Sequence, residues 1–554
     1  MNSLRSLAVL LVAGVGIPAL AQSVQFPTYT PGENLSGSRG PDYPSTLPNP
    51  WVVSDGAIIT PAGTQVYLGT TTRAKAVALN PNTSTHTAAV LQMGAPQAVT
   101  IFNTQTGAVL QNVKYGSSST GSANGIAYSP DGAHLLFSQD NSYVAYVNVS
   151  TATGLVTADV AHISLPLDAT IVDFPAFGAS EPVLNSANCT QTVTMPGTGV
   201  TLSGPVGTSG SYAIPCGVPY SGTTSYPLGL AVSPDNSAAY VVLDASDELG
   251  EINLSTNTLA KYIRVGNVPH SVVVSADGKT AYVSNEAGRI ANHSDFQLYS
   301  DGTNVVAEYP TGTTATGTIS VVDLASFKIT GSITVGHHPT GMAFWGKYLL
   351  AANTYDDTIS VIDPTINQEV RKINVGLPIS VPGDRKPAYG AGPNSIAVDD
   401  KNNIAYIALY HANAIAVVDL RDAGRQEGWG RDYDRSSIIG MIPVGYAPSS
   451  VVLDSADNSL LVANDKGIGT TGFQNTPPEN STATSHGSPA SLNTHQDLGI
   501  VSIVPVPSRS TLDAMTKQVF LNNHWDLVQN ILSASGGNPW ARPVAIPAKI
   551  GDPS

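Results

Sequence analysis

Residues 337–376 read HHPTGMAFWGKYLLAANTYDDTISVIDPTINQEVRKINVG, and this stretch decides the fold. Three short apolar runs, at residues 341–344, 348–353 and 359–363, and a fourth, more polar segment at 369–375 are separated by turn residues. Short runs rich in Val, Ile and aromatic residues between turn signals are typical of β-strands. The stretch therefore predicts a unit of four antiparallel strands.

The same unit recurs along the chain. Val-Gly pairs end successive units at residues 265–266, 335–336, 375–376 and 444–445, with spacings of 70, 40 and 69 residues. The clear copies begin at Pro227, Pro269, Pro339, Pro393 and Pro448, and two weaker copies span residues 72–116 and begin at Gly125. A four-strand unit repeated at about 40 residues is typical of a β-propeller.

A four-stranded sheet cannot bury both of its faces alone, so neighbouring units stack around an axis. We predict an all-β protein whose residues 57–507 form a seven-bladed β-propeller of four-stranded blades. Residues 57–68 are expected to add a strand to the last blade and so close the ring. An open β-solenoid or tandem sandwiches fit the four-strand period less well.

The N-terminal segment predicts export. Residues 1–21 contain Arg5, an apolar run at 7–17 and a small-residue ending, the pattern of a cleaved signal peptide, although a membrane anchor is the alternative. Residues 22–56 form an extension before the propeller. The mature protein is expected to be periplasmic or secreted, with no membrane span after signal cleavage.

The C-terminal segment breaks the strand rhythm. Leu512, Met515 and Val519 fall at helical spacing, so residues 508–535 predict a short helical segment. The Pro- and Gly-rich residues 536–554 are interpreted as a linker-like tail.

The amino-acid composition limits the classes of binding partner that the protein is expected to have. The 25 Lys and Arg residues against 40 Asp and Glu give a formal charge of −15, and no basic block is present, which disfavours nucleic acid. The expected binding partner is therefore a small molecule, a cell-envelope component or a protein. Cys189 and Cys216 are expected to form a disulfide after export, with two unpaired thiols as the alternative.

The segments 349–353 (LLAAN) and 359–363 (ISVID), with the Val-Gly boundaries, resemble the YVTN-type 40-residue β-propeller repeat family. Residues 341–348, 392–398 and 462–467 are also similar to exported bacterial proteins in which a propeller precedes an alkaline-phosphatase-like phosphoesterase domain. This chain ends at Ser554, before such a domain, so the sequence is expected to be a naturally short product or a propeller fragment. No catalytic residue of the phosphoesterase domain can therefore be assigned to a position in this sequence.

The topology predicts where a site would lie. Alternating strands place the loop before each first strand and the loop after each second strand on one face, which we call the top face. The insertions at 170–226, 287–317, 377–391 and 466–498 fall there, and only 421–435 falls on the bottom face. Loops on a rigid scaffold commonly carry binding. The candidate ligand-binding residues are His270, Asn285, Glu286, Thr340, Asn353, Asn394, His411, Ser449, Asn464 and Asp465.

Several candidates have a structural alternative. Asn at a strand end often bonds to turn backbone, and a lone His in a loop usually makes ordinary hydrogen bonds. His337 and His338 are interpreted as exposed-turn residues. The Asp residues of the Pro/Ala-Asp-Gly/Asn turns are interpreted as structural residues of bottom-face hairpins; they are Asp131, Asp235 and Asp277.

The leading function is a binding or scaffold module associated with a phosphoesterase system. No nucleophile elbow, zincin pair, Walker loop or haem motif is present, so no catalytic residue is assigned and an enzyme is disfavoured. The alternative is a lactonase-like metal-dependent hydrolase holding Ca²⁺ or Mg²⁺ through Glu286 or Asp465 with Asn285, Asn353 and Asn464. A matrix or surface protein is a third interpretation.

Overall fold

The computed structural model describes residues 51–53, 57–69, 72–94, 97–115, 124–139, 142–165, 190–194, 201–205, 225–292, 295–300, 303–309, 311–380, 387–388, 390–421, 436–469 and 497–527. The predicted signal peptide, the cysteine pair and the linker-like tail lie outside these residues. So do most of the insertions 170–226, 421–435 and 466–498.

Seven four-stranded antiparallel sheets form the blades, which confirms the predicted fold class. The chain begins with β1 (Trp51–Val52), β2 (Ile58–Ile59) and β3 (Thr64–Tyr67). Blade 1 contains β4 (Thr72–Leu79), β5 (Thr87–Gly94), β6 (Gln97–Asn103) and β7 (Val109–Tyr115). Blade 2 contains β8 (Ile126–Tyr128), β9 (His134–Gln139), β10 (Tyr143–Val149) and β11 (Val156–Ser164).

A hairpin of β12 (Thr190–Thr194) and β13 (Thr201–Pro205) precedes blade 3. Blade 3 contains β14 (Pro227–Val232), β15 (Ala238–Leu243), β16 (Glu248–Asn253) and β17 (Thr258–Arg264). Blade 4 contains β18 (Asn267–Val274), β19 (Thr280–Gly288), β22 (Gly317–Asp323) and β23 (Lys328–Val335), with a hairpin of β20 (Gln297–Ser300) and β21 (Thr303–Val306) inserted after its second strand.

Blade 5 contains β24 (Pro339–Trp345), β25 (Tyr348–Asn353), β26 (Thr358–Asp363) and β27 (Gln368–Asn374). A hairpin of β28 (Leu377–Ser380) and β29 (Pro387–Ala388) leads to blade 6, which contains β30 (Pro393–Asp399), β31 (Ile404–Leu409), β32 (Ala414–Asp419) and β33 (Ile438–Pro443). Blade 7 contains β34 (Tyr446–Asp454), β35 (Ser459–Gly467) and β36 (Ile500–Pro505), and takes its fourth strand from β3.

The pairing of β3 with blade 7 closes the ring. In β3, Thr64 pairs with Ile503 and Tyr67 pairs with Ile500, so the N-terminal strand completes the last blade, as the sequence predicted. The innermost strands also contact one another in succession, and β34 contacts β4 to complete the circle. Closure leaves no blade with an unmatched face.

Each pair of neighbouring blades shares an apolar core. The second and third strands are buried on both faces, which explains continuous apolar runs such as LLAA in β25. The outer strands are more exposed, as β27 shows, where only Ile373 is buried. Interdigitated cores of this kind hold the blades in fixed positions.

A repeated turn residue joins consecutive blades. After the second strand, four turns use a residue with positive φ whose side chain accepts a backbone N–H from the segment that enters the next blade. The residues and their donors are Ser142 (φ 64°, Ser225), Asp247 (φ 55°, Val268), Asp357 (φ 50°, Gly390 to Gly392) and Asn413 (φ 53°, Ala447). Asn, Asp and Ser favour this position because their short side chains reach nearby backbone groups.

Helix α1 (Arg509–Asn522) follows β36 and covers the outer edge of blade 6. Its Leu512 lies against Gly440 of β33, and the N–H of Met441 donates to the Thr516 hydroxyl at 2.8 Å. Ser508 caps the helix by accepting the N–H of Thr511. In the part of the chain that the structure describes, no helix is long and apolar enough to span a membrane.

Candidate functional site

β-Bulges change the direction of the side chains at the top end of the innermost strands. The strand register shifts at Lys75 in β4, at His270 in β18, at Asn394 in β30 and at Ser449 in β34. A β-bulge turns a side chain out of the regular alternation, and bulges are common beside functional sites. The fold therefore presents these residues at the top face, where the sequence predicted a site.

Three of the predicted site residues bond to the neighbouring blade. The Ser284 hydroxyl donates to the carbonyl oxygen of Thr340 at 2.7 Å. Asn394 donates from Nδ2 to the Pro448 carbonyl at 3.2 Å. The Ser449 hydroxyl donates to the Ala74 carbonyl at 2.8 Å. Thr340, Asn394 and Ser449 thus help to join blades in this structure.

Asn285, Asn353 and Asn464 are buried within their own blades. The side-chain oxygens of Asn285 and Asn353 accept the N–H groups of Gly266 and Gly336, each at 3.1 Å. Asn464 donates from Nδ2 to the Ser502 hydroxyl at 3.1 Å. The contacts of Asn285 and Asn353 match the backbone-bonding alternative, with a partner in the Val-Gly boundary rather than in a local turn. Asn464 donates instead to groups within its own blade, including the Ile500 carbonyl.

The structure brings Glu286 and His270 together and adds His338 from the next blade. Glu286 Oε1 lies 3.7 Å from His270 Nε2, and Glu286 Oε2 lies 3.4 Å from His338 Nε2. The His338 ring stacks on the Tyr355 ring at 4.1 Å between centroids, with 4° between their planes. Tyr355 is 50% exposed, so this cluster reaches solvent.

The side chain of His270 is largely buried, to the same extent as that of Glu286. Burial lowers its pKa to about 3, and the nearby His338 contributes in the same direction. Its ring is therefore neutral at neutral pH. The amide nitrogen of Asn124 lies 2.5 Å from His270 Nε2, while His270 Nδ1 is buried with no hydrogen-bond partner among the described residues.

Asp465 lies in a second cluster, where blade 7 meets blade 1. Its carboxylate lies 2.6 Å from Arg73 Nη2 and 3.0 Å from Lys75 Nζ. It also accepts the Tyr410 hydroxyl at 3.1 Å. Asp497 Oδ2 lies 3.5 Å from Arg73 Nε. The opposite charges compensate one another, so this cluster is best explained as a junction between the first and last blades.

The remaining candidate, His411, packs on the backbone of Gly392 and edge-on to Tyr410. Asp357 lies near enough for His411 to influence its pKa, although burial is the larger cause and raises that pKa. The structure thus places His411 beside a blade-joining turn, separate from the Glu286 cluster.

The interpretation of His337 and His338 as exposed-turn residues is wrong. His337 Nδ1 lies 2.7 Å from Asp356 Oδ1, and this hydrogen bond raises the pKa of His337. The side chain of His338 is 21% exposed and faces Glu286. The repeat offered a usable signal, because His338 immediately precedes the leading proline of blade 5 and the chain enters each blade on the top face.

The bottom-face turns are structural, as predicted. Asp131, Asp235 and Asp277 each accept a hydroxyl hydrogen bond at 2.6 Å from the Ser two positions earlier. A cleft of about 260 Å³ between these turns of blades 2 and 3 is lined by Asp131, His134 and Tyr146 among others. Because its acidic group is already used by the turn, the cleft is a weaker candidate than the top face.

A metal site receives no support from the described residues. Among them, no three His, Cys, Asp or Glu side chains are arranged to hold a metal ion. Two of the amide oxygens that the metal alternative requires, those of Asn285 and Asn353, already accept backbone N–H groups.

Comparisons with known proteins locate one match in the middle of the chain. The family description "Choice-of-anchor I domain" matches residues 255–428, from the outer part of blade 3 into blade 6. No curated protein matches the sequence. The comparisons do not confirm the YVTN-type or phosphoesterase resemblance.

Two solved structures are similar in shape. Kuenenia stuttgartiensis hydrazine synthase is 14% identical over 71% of this chain and 92% of its own, with a TM-score of 0.47. A structure of U3-55K is 9% identical over 79% of this chain and 98% of its own, with a TM-score of 0.45. Both TM-scores lie below 0.5, so neither likeness bears on function.

Proposed function

We propose that this protein is an exported β-propeller binding or scaffold module that holds a polar ligand at the top face of blades 4 and 5. The observation that carries the proposal is that the imidazoles of His270 and His338, from two blades, flank the carboxylate of Glu286. Unlike the buried Asn side chains, this cluster borders a half-exposed ring, Tyr355.

The surrounding fold suits a binding site. The apolar core between blades 4 and 5 fixes the two blades, so that His270 on β18 and Glu286 on β19 are held opposite His338 and Tyr355, which adjoin the ends of β24 and β25. Sites on rigid elements hold their groups in place better than sites on loops. The buried Nδ1 of His270 also offers a hydrogen bond that a bound polar group would complete.

The choice-of-anchor match supports a cell-surface or exported location. A finer version of the proposal is that the propeller positions a phosphoesterase partner, as the family resemblance implies. In that arrangement the ligand site would retain an envelope component while the partner acts on it. Co-purification of this chain with a phosphoesterase activity is the direct measurement for that version.

Ligand binding is tested by saturation-transfer NMR with a mixed set of saccharides, short peptides and alkylamines. Glu286→Gln removes the negative charge of the cluster and His338→Ala removes an imidazole, and Asp277→Asn alters a bottom-face turn as the control. We expect at least one compound to bind wild type and the control, and to lose binding in both cluster variants. Compounds that bind all four proteins equally, or none that bind, would overturn the proposal.

The lactonase-like alternative predicts a different experimental result. A hydrolase built on bound Ca²⁺ or Mg²⁺ requires near-stoichiometric metal in the purified protein and a melting temperature that falls with chelator. Elemental analysis and thermal melting with and without chelator measure both. Retained metal with a chelator-sensitive melt would favour the hydrolase over the simple binding module.

A further inference from the structure

We infer that the Glu286 cluster recognises an organic cation, an alkylammonium group held by the Glu286 carboxylate beside the stacked rings of His338 and Tyr355. This inference rests on the proposed top-face binding function and names the chemical class of its ligand. It is carried by the placement of a carboxylate and an aromatic face at one opening, joined through the ring of His338.

The carboxylate is placed to attract a cation. The side chain of Glu286 is 16% exposed, so water screens its charge less than it would at the open surface. Its neighbour His270 is neutral at neutral pH, because burial keeps its pKa near 3. His270 therefore contributes a polar ring to the opening without adding a positive charge that would repel a cationic ligand.

The aromatic side of the cluster suits the same ligand. Tyr355 is half exposed, and one face of its ring is stacked on His338. Glu286 lies 3.4 Å from His338, on which the Tyr355 ring is stacked, and burial and the charge of Glu286 both raise the pKa of Tyr355. A ring face beside an anion is the arrangement that binds ammonium groups through cation–π attraction.

The net charge of the whole chain also favours a cationic ligand. The formal charge of −15 favours the approach of cations and opposes that of anions, in a manner that added salt weakens. A neutral polyol could accept and donate hydrogen bonds here, but it would gain nothing from the charge of Glu286. The cation is therefore the ligand class that uses both the carboxylate and the ring.

The test compares a cation with a neutral molecule of similar size and shape. Tetramethylammonium and 2,2-dimethylpropan-1-ol are titrated into the full chain at low salt, with binding followed by NMR of the protein. The variants are Glu286→Gln, Tyr355→Ala and Tyr355→Phe. The matched control is Glu251→Gln, because the Glu251 side chain is similarly shielded, at 14% exposure, but lies 3.1 Å from Lys261 Nζ.

We expect wild type to bind tetramethylammonium more tightly than the neutral alcohol by about tenfold, and to lose that preference in Glu286→Gln. Tyr355→Ala should weaken cation binding, whereas Tyr355→Phe and Glu251→Gln should retain it. Added salt should weaken binding. Tyr355 is half exposed, so its variants are expected to fold even where Glu286→Gln does not.

Equal binding of the two probes, no binding of the cation, or binding unaffected by Glu286→Gln and Tyr355→Ala would overturn the inference. If the mixed-compound screen still finds a neutral ligand that depends on Glu286 and His338, the binding function stands and only the ligand class is wrong. If neither experiment detects binding at the cluster, both the function and the inference fail.

Discussion

The side-chain oxygen of Asn353 accepts the backbone N–H of Gly336 at 3.1 Å, across the junction between blades 4 and 5. A Cβ atom at Gly336 would lie 2.6 Å from Asn353 Cγ, so only glycine fits. Gly266 makes the same hydrogen bond to Asn285, and a Cβ atom at Gly445 would lie 2.7 Å from Asn464 Cγ. The Val-Gly boundary and the Asn at the second-strand end are thus two halves of one contact.

Replacing Asn353 by Ala should therefore destabilise the propeller. The change leaves the Gly336 N–H and the hydroxyls of Thr358 and Ser360 without their buried amide partner. We expect the free energy of unfolding to fall by about 2–4 kcal/mol. Chemical denaturation measures it, with the exposed residue Asn402→Ala as control. A loss as small as that of the control would contradict the role assigned to this contact.

Asp357 offers a second test of the blade junctions. Its carboxylate accepts the N–H groups of Gly390, Ala391 and Gly392, at 2.6, 3.1 and 2.9 Å. Asp357→Gly tolerates the positive φ and removes only the acceptor, so we expect a loss of about 2–4 kcal/mol in unfolding free energy. Asn367→Gly, at a turn of similar φ (52°), should change it by about 0.5 kcal/mol or less.

Ring closure can be tested within β3. Val66 is 1% exposed in the core between blades 7 and 1, whereas the next residue, Tyr67, is 61% exposed. Val66→Asp places a charge in that core and should lower the melting temperature by more than 10 °C, or prevent folding, because an unpaired buried charge costs several kcal/mol. Tyr67→Ser should melt within about 2 °C of wild type. Similar melting of the two variants would show that β3 is dispensable.

The fold was predictable because its signals are local and repeated. Each unit carries its own apolar runs, turn residues and Val-Gly boundary, so the period and the closing strand could be recognised without knowing any contact. The αL turn residues could not be recognised in this way. Asp357 bonds to backbone 33 to 35 residues further on, across an insertion whose length differs from blade to blade.

The candidate site was predicted only in outline. The topology placed His270 and Glu286 on one face, and in the structure His270 Nε2 lies 3.7 Å from Glu286 Oε1. It could not show that His338 would face Glu286, because that contact depends on how two blades pack. Likewise, Asn285 and Glu286 are adjacent in sequence, yet one is buried in its blade and the other borders the opening, since side chains alternate along a strand.

The junction of blades 7 and 1 should give a pH-dependent stability that one substitution removes. Burial raises the pKa of Asp497 from 3.8 to about 6, with Asp465 acting in the same direction and Arg73, Lys466 and Lys75 opposing it. Between these pH values the folded protein holds a proton that the unfolded chain has released. The contribution of Asp497 to stability is therefore complete below about pH 4 and is lost as the pH rises through 6.

We expect the unfolding free energy of wild type, relative to Asp497→Asn, to fall by about 1–3 kcal/mol across this range, as measured by denaturation at several pH values. Asp277→Asn is the control, because the pKa of Asp277 is lowered by its Ser275 hydrogen bond and it titrates below this range. A difference curve for Asp497→Asn that is flat from pH 4 to 6 would show that this carboxylate is ionised throughout.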